Sequence, residues 1–257
     1  MAKTTLLLKK INEVASNGDI EQLIILLTKS KSKVKNIVDC SEALQLAAKN
    51  GHIECVKLLI SVSNPKADNS FALRLASQNG HAECLKILIP VSDTRADNSN
   101  ALKWASKNGH TECVELLIPL SDPKSNDSYA LRLASEYGNI ECVKLLIPVS
   151  DQKTNNQALG WASYNGHTEC VKLLIPISKP RHNNSEALRW AASTCHTECI
   201  KLLMSHSDVS DWCEKEWKII PLDMQNIIRS YYSKMSLEQN VLPCDNQTLK
   251  IRKLRKI

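Results

Sequence analysis

Two columns of reactive side chains recur along the sequence. Cysteines stand at Cys55, Cys84, Cys113, Cys142, Cys170 and Cys199, and histidines at His52, His81, His110, His167 and His196. Thiolates and imidazoles bind transition metals, and a suitable pair of them makes a nucleophile and its general base. Cys195-His196-Thr197-Glu198-Cys199 is the one local cluster with ligand-like spacing. Either chemistry needs several groups converging on one point, and the spacing opposes this, because successive column members lie 28 or 29 residues apart. On neighbouring packed helices such residues are held about 8 to 10 Å apart. A disulfide needs Cα atoms within about 7 Å, and zinc needs thiolates at about 2.3 Å. The cysteines therefore read as small buried hydrophobes. The histidine column contains Asn139, and an amide cannot act as a general base, so that column reads as a structural hydrogen bond. Glycines lie a full repeat apart, which leaves no phosphate-binding loop. No enzymatic activity, cofactor or metal site is expected.

The elements that position these columns are themselves repeated. The block from Ser41 recurs from Ser70, Ser99, Ser128, Asn156 and Ser185, with a period of 29 and one step of 28. Gly18, Gly51, Gly80, Gly109, Gly138 and Gly166 form a column that ends with Cys195. A glycine between two helical patterns suits a left-handed helix end, since it has no Cβ to clash at positive φ. Apolar spacing predicts a first helix from Glu42 to Asn50 and a second from about His52 to Ile60, with Cys55, Val56, Leu59 and Ile60 inward. Pro90, Pro119, Pro148 and Pro176 then stop the second helices. The Ser or Asn that opens each block is expected to cap the next first helix. A block of about 29 residues cannot bury enough apolar surface alone, so the blocks must stack.

Composition agrees with a folded chain. Of 257 residues, 43% are hydrophobic and 23% charged, and Lys plus Arg at 33 against Asp plus Glu at 27 leaves a net charge of +6. That excess tolerates an acidic partner without demanding nucleic acid. No apolar run approaches the roughly 20 residues of a membrane span, and no signal peptide is visible. Of the ten cysteines, six are spaced by the repeat, which points to reduced thiols and a cytoplasmic location.

The segment Ala47-Ala48-Lys49-Asn50-Gly51-His52-Ile53-Glu54-Cys55-Val56-Lys57-Leu58-Leu59 resembles the middle of an ankyrin repeat, and the signature recurs from Ala105 and Ala162. The resemblance covers roughly residues 7 to 208 and implies an all-α, helix-turn-helix solenoid that binds proteins. There are two departures. Forms such as Phe71-Ala72-Leu73-Arg74 replace the family's Thr-Pro-Leu-His opening, and the repeat is four residues short of the usual 33. The missing residues fall where ankyrin repeats carry a β-hairpin, so short loops such as Asp93 to Asn98 are expected in place of most hairpins. Gly18 to Gly51 spans 33 residues, so Thr28 to Cys40 is where a longer finger is expected. The likeness among internal units is similar to that in ankyrin proteins of large DNA viruses and intracellular bacteria.

In a solenoid the packing positions are forced to be alike, so varied positions on the concave first-helix face and the loop tips are candidates for contact. One varied column is Glu42, Phe71, Asn100, Tyr129, Gln157 and Glu186. Another is Gln45, Arg74, Lys103, Arg132, Gly160 and Arg189, and successive loops add Lys66, Arg95, Lys124, Lys153 and Arg181. A positive stripe with Phe71 and Tyr129 as aromatic anchors suits an acidic or phosphorylated protein segment. The opposing reading is that duplication copied solvated charges. Asp93, Asp97, Asp122 and Asp151 lie in the same loops and would repel nucleic acid.

The expected organisation is an N-terminal capping unit over 1–40, six tandem repeats over 41–208, and a C-terminal capping helix with a basic tail over 209–257. Trp212, Trp217, Ile220, Leu222, Met224, Ile227, Ile228 and Tyr231 supply the apolar pattern of that last helix. Pro221 to Ile228 is also loosely similar to an F-box core, which implies the alternative of a substrate adaptor for a ubiquitin ligase. The partner's identity and the oligomeric state are not written in the sequence.

Overall fold

Short apolar stripes separated by glycine turns become paired helices. The computed structural model of the protein describes residues 2–33, 39–179, 182–207, 209 and 217–238. Each pair has a first and a second helix: α1 (Ala2–Asn17) and α2 (Ile20–Lys33), α3 (Ser41–Asn50) and α4 (Ile53–Ile60), α5 (Ala67–Gln78) and α6 (Ala82–Leu88), α7 (Ala96–Asn108) and α8 (Thr111–Leu117). The series continues with α9 (Ser125–Glu136) and α10 (Ile140–Leu146), α11 (Gln152–Tyr164) and α12 (Thr168–Leu174), α13 (His182–Ser193) and α14 (Thr197–Met204), and closes with α15 (Leu222–Glu238). Among the described residues there is no strand, and no helix is long and apolar enough to cross a membrane. The fold is an all-helical repeat solenoid.

The chain divides into two compact units, Met1–Asp151 and Gln152–Ile257. In the first, α1, α3, α5, α7 and α9 pack as one row of neighbours, with second helices α4, α6, α8 and α10 in contact beside them. In the second, α11 packs on α13 and α12 on α14, and α15 lies against α13 and α14. Each row can pack closely because its contact residues are small. Ala47, Ala76, Ala105, Ala134, Ala162 and Ala191 are all fully buried. The next position holds Ser77, Ser106 and Ser163, also buried, whose hydroxyls donate to the carbonyls of Leu73, Leu102 and Leu159 at 2.8, 2.7 and 2.6 Å. A serine satisfied within its own helix is thus an adequate substitute for alanine. Second helices complete the core with Cys55, Val56, Leu59 and their equivalents, each at most 1% exposed. Burying each such leucine contributes roughly 1.5 to 3 kcal/mol.

The loops are shorter than hairpins, as expected, and their chemistry is specific. After the 3-10 turn Ile89–Val91 that holds Pro90, the Asp93 carboxylate accepts the Arg95 backbone N–H at 2.9 Å. Asn64 and Asp122 hold Lys66 and Lys124 in the same way, each at 3.1 Å. The chain then runs left-handed through Asp68, Asn69 and Ser70, at φ 51, 57 and 58, before the right-handed run that starts at Phe71. Asp and Asn are among the few residues that tolerate this region, which accounts for the Asp-Asn-Ser triplets.

Here the expected role of the block-opening serines is corrected. Ser41, Ser70, Ser99 and Ser128 do not cap helices; each of these hydroxyls instead accepts a loop N–H. Ser41 accepts from Asn64 at 2.9 Å, Ser70 from Asp93 at 2.8 Å, Ser99 from Asp122 at 2.9 Å and Ser128 from Asp151 at 3.3 Å. Asn156 does the same for Lys179 through Oδ1 at 2.7 Å. The stretch Thr28–Lys33, expected to begin a longer finger, is the end of α2, while residues 34–38 of that stretch lie outside the described residues.

Candidate protein-binding face

The first helices carry the varied positions, and their order in each row decides which side chains meet. In the first unit Gln45, Arg74, Lys103 and Arg132 come from α3, α5, α7 and α9 in succession. Arg74 places its guanidinium carbon 4.8 Å from the centre of the Phe71 ring, and Arg132 stacks 4.0 Å from that of Tyr129. Lys103 reaches the same Tyr129 ring from the preceding helix, with Nζ 5.8 Å from its centre. Phe71 and Tyr129 are half-buried, and Phe71 already carries one cation and Tyr129 two. Such stacking holds a guanidinium in place while leaving its charge.

Not all of this charge is available. Arg74 Nη1 donates to Asp97 Oδ2 at 3.2 Å and Nη2 to the Asp68 carbonyl at 2.9 Å. Lys103 is only 8% exposed. Burial lowers its ammonium pKa, with the Asp97 carboxylate opposing that effect. In the second unit Gly160 and Arg189 continue the column on α11 and α13.

The loop residues Lys66, Arg95, Lys124 and Lys153 are exposed. Lys66 and Arg95 line one shallow cleft of about 470 Å³ together with Asn69, Ser70, Asp93 and Asp97. Acids and bases thus alternate along the loop edge. Arg181 lies outside the described residues.

Sequence reasoning missed an aromatic set one position along from the basic column. Lys107 Nζ sits 4.9 Å from the Trp104 ring centre and 5.0 Å from that of Tyr137. In the second unit Trp161, Tyr164 and Trp190 meet edge to face at centroid distances of 5.5 to 6.1 Å. Gly160 makes room for this, since a Cβ there would lie 3.1 Å from Trp190. The available signal was the column Leu46, Leu75, Trp104, Leu133, Trp161 and Trp190, which switches between aliphatic and aromatic.

The cysteine and histidine columns take structural positions. All six column cysteines are buried and free, and burial, reinforced by Glu83, pushes the Cys84 thiol up to about 11. Among the described residues no three His, Cys, Asp or Glu side chains are grouped to hold a metal. His52 pairs its Nε2 with the Ser16 carbonyl at 2.9 Å, His81 with Lys49 at 2.9 Å and His110 with Gln78 at 3.0 Å. Asn139 substitutes by donating to the Ser106 and Lys107 carbonyls at 2.8 and 2.7 Å. Each bond ties the start of a second helix to the end of the first helix in the preceding repeat.

At the C-terminal end, Ile220, Met224 and Ile228 are buried, and the Tyr232 hydroxyl meets the Met204 and Ser207 carbonyls at 2.9 and 3.1 Å. Ile219 and Leu222 are 58% and 68% exposed. Trp212 and the tail from 249 to 257 lie outside the described residues.

In comparison with known families, the one described as Ankyrin repeats (3 copies) matches residues 11–94, 73–155 and 131–215. No curated protein matches the chain.

Proposed function

From the premise that the chain belongs to the ankyrin repeat family, we propose that its first-helix face and loop tips hold an acidic or phosphorylated segment of a partner protein. Ankyrin repeats bind proteins in general and are typically non-enzymatic. The observation that carries the reading is the contrast between two exposed faces. On the second helices, Glu54–Lys57, Glu83–Lys86, Glu141–Lys144, Glu169–Lys172 and Glu198–Lys201 pair at 2.6 to 2.7 Å. Those five helices cancel their own charge, while α8 carries Glu112 and Glu115, the first of them bonded to Lys86 of the preceding repeat at 2.9 Å. The first-helix face instead varies from repeat to repeat and sets Arg74, Lys103 and Arg132 against Phe71 and Tyr129. Lys66, Arg95 and Lys124 border it in the loops, and within the second unit Arg189 and Lys153 hold the equivalent first-helix and loop positions.

In this reading the N-terminal helix pair and α15 cover the ends of the array, as repeat stacks require. Free, buried cysteines suit a reducing compartment such as the cytoplasm. The test is to reverse Arg74, Lys103 and Arg132 to Glu together and compare partner capture by proximity labelling in the native host. Loss of the partner is expected, and unchanged capture rejects the proposal.

A second reading rests on Ile219 and Leu222, two large apolar side chains left in solvent at the start of α15. They would serve an F-box-like contact that recruits a ubiquitin ligase while the repeats hold the substrate. Copurification of the ligase adaptor with the full chain, abolished by Leu222→Asp, is the expected result; no adaptor at all rejects it.

A further inference from the structure

In an Asn-Gly pair the asparagine side chain is open to attack by the next backbone nitrogen, because glycine puts no Cβ in the way. The pair occurs at Asn17-Gly18, Asn50-Gly51, Asn79-Gly80, Asn108-Gly109 and Asn165-Gly166, each time at the end of a first helix. The chemistry open to all of them is the same. Base takes the proton from the glycine nitrogen, which bonds to the asparagine Cγ. The Cγ–Nδ2 bond breaks, ammonia leaves, and a five-membered imide remains. Water then opens the imide at either carbonyl. One product is aspartate; the other is isoaspartate, whose main chain runs through the side chain and is longer by a methylene.

The pairs differ in how firmly the reacting groups are held. Asn50 Nδ2 donates to the Ser16 carbonyl at 2.8 Å and to Ser16 Oγ at 3.0 Å, and Asn108 Nδ2 donates to the Gln78 carbonyl at 2.6 Å. Both amides are thereby tied to the preceding repeat, and the N–H groups of Gly51 and Gly109 donate to the Ala47 and Ala105 carbonyls. Asn79 and Asn165 donate to carbonyls four residues back, Leu75 at 2.8 Å and Trp161 at 3.0 Å. Their attacking nitrogens are held more loosely, with Gly80 and Gly166 donating to Ser77 and Ser163 at 3.4 and 3.3 Å. Asn17 is exposed, and among the described residues its side chain has no hydrogen bond. No described helix precedes α1 to offer it a carbonyl.

Ring closure requires the amide to swing toward the next nitrogen while the last helical turn opens, so every bond that holds the amide slows it. We propose that Asn17 is a self-modification site, at which the folded chain converts to isoaspartate and aspartate ahead of the other Asn-Gly pairs. The residues on both sides of Asn17 carry contacts to the next helix pair. The Ser16 carbonyl is bonded to His52 Nε2 at 2.9 Å as well as to Asn50, and a Cβ on Gly18 would collide with the same imidazole. An extra main-chain methylene between Ser16 and Gly18 breaks that register. Isoaspartate therefore loosens α1 and α2 from α3 and α4, whereas aspartate keeps the chain length and the contacts.

The test holds the full chain at mildly alkaline pH and body temperature and follows the replacement of NH2 by OH at each asparagine by peptide mass spectrometry. Asn17 is expected to convert first, Asn79 and Asn165 roughly fivefold more slowly for one hydrogen bond, and Asn50 and Asn108 last. In urea the rates are expected to converge. Asn17→Gln, which would have to close a larger ring, is expected to abolish the fast conversion and leave the others unchanged. Amide hydrogen exchange in α1 and α2 is expected to speed up in the isoaspartate form and to stay unchanged in Asn17→Asp.

Conversion of Asn50 or Asn108 as fast as Asn17 in the folded chain would overturn the proposal. So would a lead of Asn17 that persists in urea, since it would then come from neighbouring sequence. Unchanged exchange in the isoaspartate form would reject the loosening of the first helix pair.

Discussion

Gly51 and His81 fit against each other across neighbouring repeats: a methyl group placed on Gly51 would lie 2.6 Å from His81 Nδ1. The other nitrogen of that ring is bonded to the Lys49 carbonyl. The glycine therefore meets two demands at once, a φ of +76° and an open face for the next repeat's imidazole. Gly51→Ala is expected to destabilise the chain by about 2 to 3 kcal/mol, combining left-handed strain with a displaced hydrogen bond. Urea unfolding measures it. A loss below about 0.5 kcal/mol would mean that the ring does not fill this space.

Cys195 takes the glycine position in the last repeat, at φ 61, and is exposed. The repeat pattern breaks after this unit, so no further repeat brings a histidine against this position, and the backbone cost of a side chain at positive φ is what the substitution relieves. Cys195→Gly is accordingly expected to stabilise the protein by about 1 kcal/mol. A destabilising result in the same unfolding assay would contradict this.

Ser106 and Ser135 occupy equivalent buried positions but differ in their hydroxyls. Ser106 donates to Leu102, whereas Ser135 Oγ is buried with no hydrogen-bond partner among the described residues. Removing an unsatisfied buried hydroxyl relieves a desolvation cost, while removing a satisfied one loses a bond. Ser135→Ala is expected to be more stable than Ser106→Ala by about 1 kcal/mol. Equal effects in thermal unfolding would show that the hydroxyls are equivalent.

Much of the fold is legible in the sequence because the residues that pack cannot vary. Alanine at Ala76 and Ala105, glycine at Gly51 and Gly80, and cysteine at Cys84 and Cys113 recur at fixed spacing, and each meets a steric demand set by the neighbouring repeat. The loops are less legible. Ser70 before an apolar run has the appearance of a helix cap, and only the left-handed path through Asp68 and Asn69 turns its hydroxyl toward Asp93. The face of the first helices was visible as variation at Arg74, Lys103 and Tyr129. The pairing of Arg74 with Asp97 was not, because it depends on where the shortened loop returns. The aromatic set around Trp161 was missed for a related reason: Trp190 belongs to another repeat and meets Tyr164 beside Gly160, where a Cβ would crowd its ring.

Alkaline pH tests the buried thiols. Burial is the larger cause that raises Cys84, Cys113 and Cys170 from 9.0 to about 11, with Glu83, Glu112 and Glu169 adding to it. Below the unfolded value both states hold the proton, and the thiols' contribution to stability is fully present. As pH rises from about 9 to about 11 the unfolded chain loses its protons first, so this contribution falls. Unfolding midpoints should drop across that range, and Cys84→Ala with Cys113→Ala should reduce the slope. Alkylation near neutral pH should label the exposed Cys195 well before any column cysteine. Column cysteines that react at the rate of Cys195 would refute their burial.

The central claim is that the partner lies on the first helices, away from the self-paired second helices. A photo-crosslinking residue placed in turn at Phe71, Tyr129, Lys57 and Lys144, in the full chain expressed in its native host, tests this directly. Adducts to one partner protein from positions 71 and 129, with none from 57 and 144, are predicted. Adducts from 57 and 144, with none from 71 and 129, would contradict it.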